Sequence, residues 1–154
     1  MLGRLRSAGL LPYRLDDELR LLVAHPGGPF FARRDNGWWS IVKGIVEADE
    51  SDEEAAAREF EEETGWPAPP LPWIELGETT LKSRKIVVAY AVEADLDPET
   101  LASNLITISG RSFPEIDRVV WMSVDQARVK LNQAQTVFID RLIANLDDAR
   151  NIVT

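Results

Sequence analysis

GIVEADESDEEAAAREFEEETGW, residues 44–66, decides how the rest of the chain is read. Carboxylates one turn apart repel and weaken a helix, yet every local sign here points to one. Ser51 followed by Glu54 is a capping box. Gly65 ends the helix, and Pro67, Pro69 and Pro70 prevent its continuation. At about 100° per residue, Glu59, Glu62 and Glu63 stand at i, i+3 and i+4 and share one face. Ala56, Ala57 and Phe60 lie on another face suited to packing on a sheet, while Glu54 and Glu61 turn to water. Ala55 and Asp52 lie on the carboxylate side and leave room above it. Such a side suits a hard divalent cation, because Mg²⁺ takes oxygen ligands and keeps waters that phosphates can replace. The plain alternative is a solvated acidic face. A calcium loop of the EF-hand kind does not fit, since its central glycine and ligand spacing are absent.

Working outward, Ser7 to Tyr13 and Glu18 to Ala24 are Leu-rich runs separated by a polar turn and read as a hairpin. His25 to Pro29 is a loop by composition, followed by an exposed segment with Phe30, Phe31, Arg33 and Arg34. Trp38 to Val42 reads as a short strand leading to Lys43 and Gly44. Beyond the prolines, Ile74 to Leu81, Lys85 to Ala94 (with IVVAYAV) and Arg118 to Ser123 read as strands. Val124 to Leu131 and Gln133 to Leu146 read as helices, the second with Phe138, Ile139, Leu142, Ile143 and Leu146 at core-facing spacing. The expected class is α+β, with a helix following several strands.

At 154 residues with 45% apolar composition the chain suits one domain over 1–154 with a full core. A net charge of -9 argues against duplex nucleic acid and against an anionic membrane surface. A small anionic ligand stays open if a metal or local basic groups neutralise it. The absence of cysteine excludes disulfides, thiolate metal sites and cysteine nucleophiles. The segment MLGRLRSAGLLPYR lacks a signal-peptide pattern, no run reaches membrane-span length, and a cytoplasmic location is expected.

The ordered pattern around the acids resembles the Nudix box. Gly44, five residues, Glu50, seven residues, Arg58-Glu59, apolar Phe60, one residue, Glu62-Glu63, one residue, Gly65 and apolar Trp66 match every defined position. SAGLLPY, HPGGPF, FPEIDRVVW and AQTVFIDRL extend the likeness more weakly towards a bacterial branch of that family. The resemblance implies the Nudix fold, an α/β/α sandwich with a mixed β-sheet between helices. It also implies hydrolysis of a nucleoside diphosphate linked to another moiety, with Mg²⁺ or Mn²⁺ as cofactor. Residue by residue, Glu62 and Glu63 would be metal ligands, joined by the Gly44 carbonyl. Glu59 would be a ligand or the base that deprotonates water. Arg58 would orient the carboxylates, and Glu50 would be structural.

Nudix enzymes often add an acid from a facing loop, and Glu115 is the candidate, with Asp117 as alternative; either could instead pair with Arg111 or Arg118. Lys43 and Lys85 are candidates for substrate phosphate, against the plain readings of a strand-end lysine and a solvated turn. His25 is the single histidine, so no histidine dyad can form within the chain, and a structural role suits it best. One of Phe30, Phe31, Trp38 and Trp39 is expected to touch substrate. The substrate would be a small nucleotide. The candidates are dinucleoside polyphosphates, nucleoside triphosphates including oxidised ones, and nucleotide sugars; the first is slightly preferred, although the tyrosine that diadenosine tetraphosphate hydrolases tend to carry some seventeen residues past the box is replaced by Lys82 to Arg84. The competing function is a nucleotide-sensing Nudix domain without catalysis, whose expected mark, loss of box carboxylates, is not seen. Many relatives pair as homodimers, and nothing in the residues decides this.

Overall fold

A computed structural model describes residues 5–153, with side chains through residue 149. Residues 1–4 and 154 of the expected 1–154 domain lie outside the described residues. The fold is the expected α/β/α sandwich around a six-stranded mixed sheet.

Strand β1 (Arg6–Leu15) runs through the middle of that sheet. Its side chains alternate between two apolar layers, Ala8 and Leu10 entering one and Leu11 and Tyr13 the other, as the two-residue period of a strand requires. β2 (Leu19–Pro26) returns antiparallel but pairs with β1 only at Tyr13–Leu15. Further along the same edge, β3 (Val42–Ile45) takes over by pairing with Ser7–Leu10. The other edge of β1 pairs in parallel with β5 (Ile86–Glu93). β4 (Ile74–Thr80) lies outside β5, and β8 (Ile116–Ser123) outside β2.

Helix α1 (Asp52–Thr64) covers one face. Its N-cap Ser51 and Glu54 form both bonds of the capping box, and Gly65 closes it at φ 78°. Ala55, Ala56 and Phe60 pack on Leu10, Leu22, Val42 and Val88. Complete burial of Phe60 contributes roughly 2 kcal/mol. Helices α2 (Val124–Lys130) and α3 (Val137–Val153) cover the other face through Ala127, Phe138, Ile139 and Leu142. Edge strand β4 carries a bulge between Glu75 and Glu78, where Gly77 takes φ 74°. Arg141 of α3 brackets it, Nη1 donating to the carbonyls of Leu76 and Glu78 at 2.9 Å each.

Four expectations change. The strand read at Trp38 to Val42 is displaced to Val42–Ile45, because Trp39 and Ser40 make only isolated bridges. The helix read from Gln133 begins as a 3₁₀ turn, Gln133–Thr136, and α3 proper starts at Val137. A hairpin of β6 (Leu105–Ile108) and β7 (Arg111–Pro114) was not expected. On α1 the core face holds Ala55 rather than Ala57, together with Glu63 and Thr64. Among the described residues no helix is long and apolar enough to cross a membrane.

Candidate active site

The pairing of β3 with β1 sets Gly44 opposite Ala8 and carries Lys43 and Gly44 under α1. An added Cβ on Gly44 would lie 1.9 Å from Glu59 Cδ, so only glycine lets the helix come this close. From α1 itself come Glu59 and Glu63. Glu115 comes from the corner before β8, and Lys85 from the turn before β5. Lys43, Gly44, Glu59, Glu63, Lys85 and Glu115 line one cavity of about 370 Å³, together with Ser7 and Ser40. Glu59, Glu63 and Glu115 each bring a carboxylate oxygen within 4.8 Å of the others.

The corner that carries Glu115 is tied to the open end of α1. Ala102 N donates to the Thr64 carbonyl at 2.8 Å and Asn104 N to the Glu62 carbonyl at 3.1 Å. Glu115 N then donates to the Asn104 carbonyl at 2.9 Å. These bonds satisfy helix-end carbonyls that would otherwise lack partners, and they fix the distance between Glu115 and the helix.

Crowding dominates the electrostatics. Burial, reinforced by the Glu115 and Glu59 carboxylates, pushes Glu63 up to about 10, and nearby Lys43 offsets only part of this. Burial also raises Glu59, against the pull of Arg58. Lys43 is lowered by loss of hydration, although Glu63, Glu115 and Glu59 oppose that shift. Three carboxylates crowded enough to keep Glu63 protonated in the absence of a cation suit a hard divalent ion such as Mg²⁺ or Mn²⁺. No histidine or thiolate competes among them.

Arg58 organises the box from outside the cavity. Its Nε and Nη2 donate to both oxygens of Glu50 at 2.8 and 2.9 Å, and Nη1 donates to Glu59 at 2.9 Å. Nη2 also donates to the Ile45 carbonyl at 3.0 Å. Hydrogen bonding from Arg58 holds the Glu50 carboxyl down at about 2. One guanidinium thus joins the loop, β3 and Glu59, a geometry that a lysine could not reproduce.

Glu62, expected among the metal ligands, stands outside the trio. Its side chain is 50% exposed and accepts from Arg58 Nη1 at 3.3 Å. The cause is rotation: Glu62 lies about 100° round the helix from Glu63, which turns to the sheet. Asp117, the alternative to Glu115, bonds His25 at 2.9 Å. Lys43 is half-buried in the cavity wall, whereas Lys85 is exposed at its rim. None of Phe30, Phe31, Trp38 and Trp39 lines this cavity; Trp39 is core, and the other three cluster beside Arg34. Ser40 was not anticipated. Its hydroxyl accepts from Gln135 Nε2 at 3.0 Å while Gln135 Oε1 accepts from Ile41 N, and a glutamine among helical apolar residues was the available sign.

The family model for the NUDIX domain matches residues 3–142. No curated protein matches the sequence. Among solved structures the chain is similar to a C. elegans Ap4A hydrolase binary complex, at 20% identity and TM-score 0.66, over 92% of this chain and 98% of that one. It is similar to the MutT protein from Methanosarcina mazei Go1, at 22% identity and TM-score 0.60, covering 94% and 98%. The NUDIX domain of Shewanella oneidensis NrtR, complexed with ADP ribose, aligns at 18% identity and TM-score 0.58, covering 100% and 91%.

Proposed function

The chain belongs to the Nudix hydrolase family, and from that premise we propose that it cleaves a phosphoanhydride in a nucleoside diphosphate linked to a further moiety. Dinucleoside polyphosphates and nucleoside triphosphates are the leading substrates, with Mg²⁺ or Mn²⁺ as cofactor. The observation that carries this reading is the meeting of Glu59, Glu63 and Glu115 with Lys43 and Lys85 around one cavity. The likeness to an Ap4A hydrolase structure supports trying a dinucleoside polyphosphate first.

Glu59, Glu63 and Glu115 would hold the divalent ion, which supplies neutralisation of phosphate oxygens and a lower pKa for the attacking water. Lys43 and Lys85 meet the remaining phosphate charge as point charges. Water oxygen bonds to phosphorus as the bridging P–O bond breaks, and the electron pair leaves on the departing phosphate. The proton lost by water goes to a carboxylate. Glu59, raised by burial yet held in place by Arg58, suits either that duty or ligation. Glu62, bonded to the same arginine, contributes to the field around Glu59 rather than to the trio.

Purified protein with Mg²⁺ is offered dinucleoside polyphosphates, nucleoside triphosphates, ADP-ribose and nucleotide sugars, beside Glu63→Gln and a chelator control. Turnover of one class, abolished by both controls, is the expected result. Tight binding of a nucleotide with no turnover of any compound would sink catalysis and leave the sensing domain.

A further inference from the structure

We infer that His25 and Asp117 form a positioning pair that sets how Glu115 enters the acidic trio; this rests on the metal-binding reading above. His25 is fully buried near the end of β2. Buried polar atoms need partners, and both ring nitrogens have them. Nε2 donates to the Arg34 carbonyl at 2.7 Å, and Nδ1 meets Asp117 Oδ1 at 2.9 Å. The ring also packs edge-on against Trp39, with centroids 5.0 Å apart. It cannot turn without breaking both bonds.

Asp117 is the extra residue of a β-bulge. In the β2–β8 ladder Ala24 faces Val119 and His25 faces Arg118, but the next partner, Pro26, faces Ile116, so Asp117 is passed over. A bulge bends its strand and reverses which side later residues take. Here Ile116 and Val119 are three apart yet enter the same core layer, which a regular strand forbids. Glu115 directly precedes Ile116, its carbonyl accepting from Gly27 N at 2.8 Å. A one-residue slip at this point would send the Glu115 side chain to the opposite side. The side chain hydrogen-bonded to the passed-over residue is His25, while Arg118 Nε stands 3.9 Å from the same oxygen, at ion-pair rather than hydrogen-bond distance.

Glu59 and Glu63 share a rigid helix, whereas Glu115 sits on a corner whose backbone bonds to Asn104 and Gly27 set its distance, and the side its carboxylate takes depends on the bulge beside it. Asp117 is 35% exposed on its side chain, so its replacement opens no hole in the core.

The test is Mn²⁺ affinity by electron paramagnetic resonance, with thermal melting alongside. Asp117→Ala is expected to weaken binding about tenfold. Asp117→Asn, which keeps an oxygen for Nδ1, should lose less. In a Glu115→Gln background Asp117→Ala should cost nothing further, because both changes act through one carboxylate. Wild-type affinity in a folded Asp117→Ala, or losses that simply add in the double variant, would overturn the positioning role while leaving the metal site intact. Failure of wild-type protein to bind Mn²⁺ would instead overturn the metal reading, and this inference with it.

Discussion

Gly44 and Glu59 occupy space that a single methyl group would contest. Because the atom displaced by Gly44→Ala is the end of a flexible side chain, the fold should survive and the site should not. Displacement of a catalytic carboxylate by about 1 Å costs on the order of 100-fold in rate. Steady-state kinetics together with an unchanged circular dichroism spectrum would check this. Glu63 leads to a pH prediction. Its carboxyl sits at about 10 in the folded, metal-free protein against a reference of 4.5, so the folded state binds the extra proton between those limits. Stability from this group is fully present below 4.5 and is lost as pH rises towards 10. Melting in chelator should therefore fall from pH 5 to pH 9, and Glu63→Gln should flatten the curve. Metal must displace the same proton, so apparent Mg²⁺ affinity should rise with pH over that range.

At the level of elements, α1 was the most legible part of the chain because its signals are local. Ser51, Glu54 and Gly65 fix its ends whatever it packs on. Ser51→Ala should cost about 1 kcal/mol, seen as a melting-temperature drop of about 2–4 °C, with metal affinity unchanged. The rotation of α1 was not legible. Whether Glu62 or Glu63 turns inward depends on where β3 runs, and that strand was itself displaced because Trp39 and Ser40 look extended without joining a ladder. The β6–β7 hairpin escaped notice because most of its residues are exposed and show no buried alternation. Its Ser109-Gly110 turn, with φ 51° and 79°, was the one available sign. Glu115 could be anticipated from its place in the chain, but the backbone relay through Asn104 that delivers it could not.

Across the whole molecule, one site draws on β3, α1, the turn before β5 and the corner before β8, so an ion bound there would be linked to global stability. A ligand at 100 times its Kd adds about 2.7 kcal/mol to the folded state. For a domain of this size that corresponds to a rise of about 5–11 °C in Tm. Mg²⁺ titration followed by scanning fluorimetry should show it, chelator should reverse it, and Glu63→Gln should abolish most of it.

The guanidinium of Arg141 at the β4 bulge bears on crowding as much as on folding. An outermost strand with an unbroken row of backbone groups is a template on which another chain can grow. Gly77 breaks that row, and Arg141 fixes the break by binding the carbonyls on either side. That margin of the sheet is therefore a poorer template for stacking than an unbroken strand would be, at a place remote from the cavity.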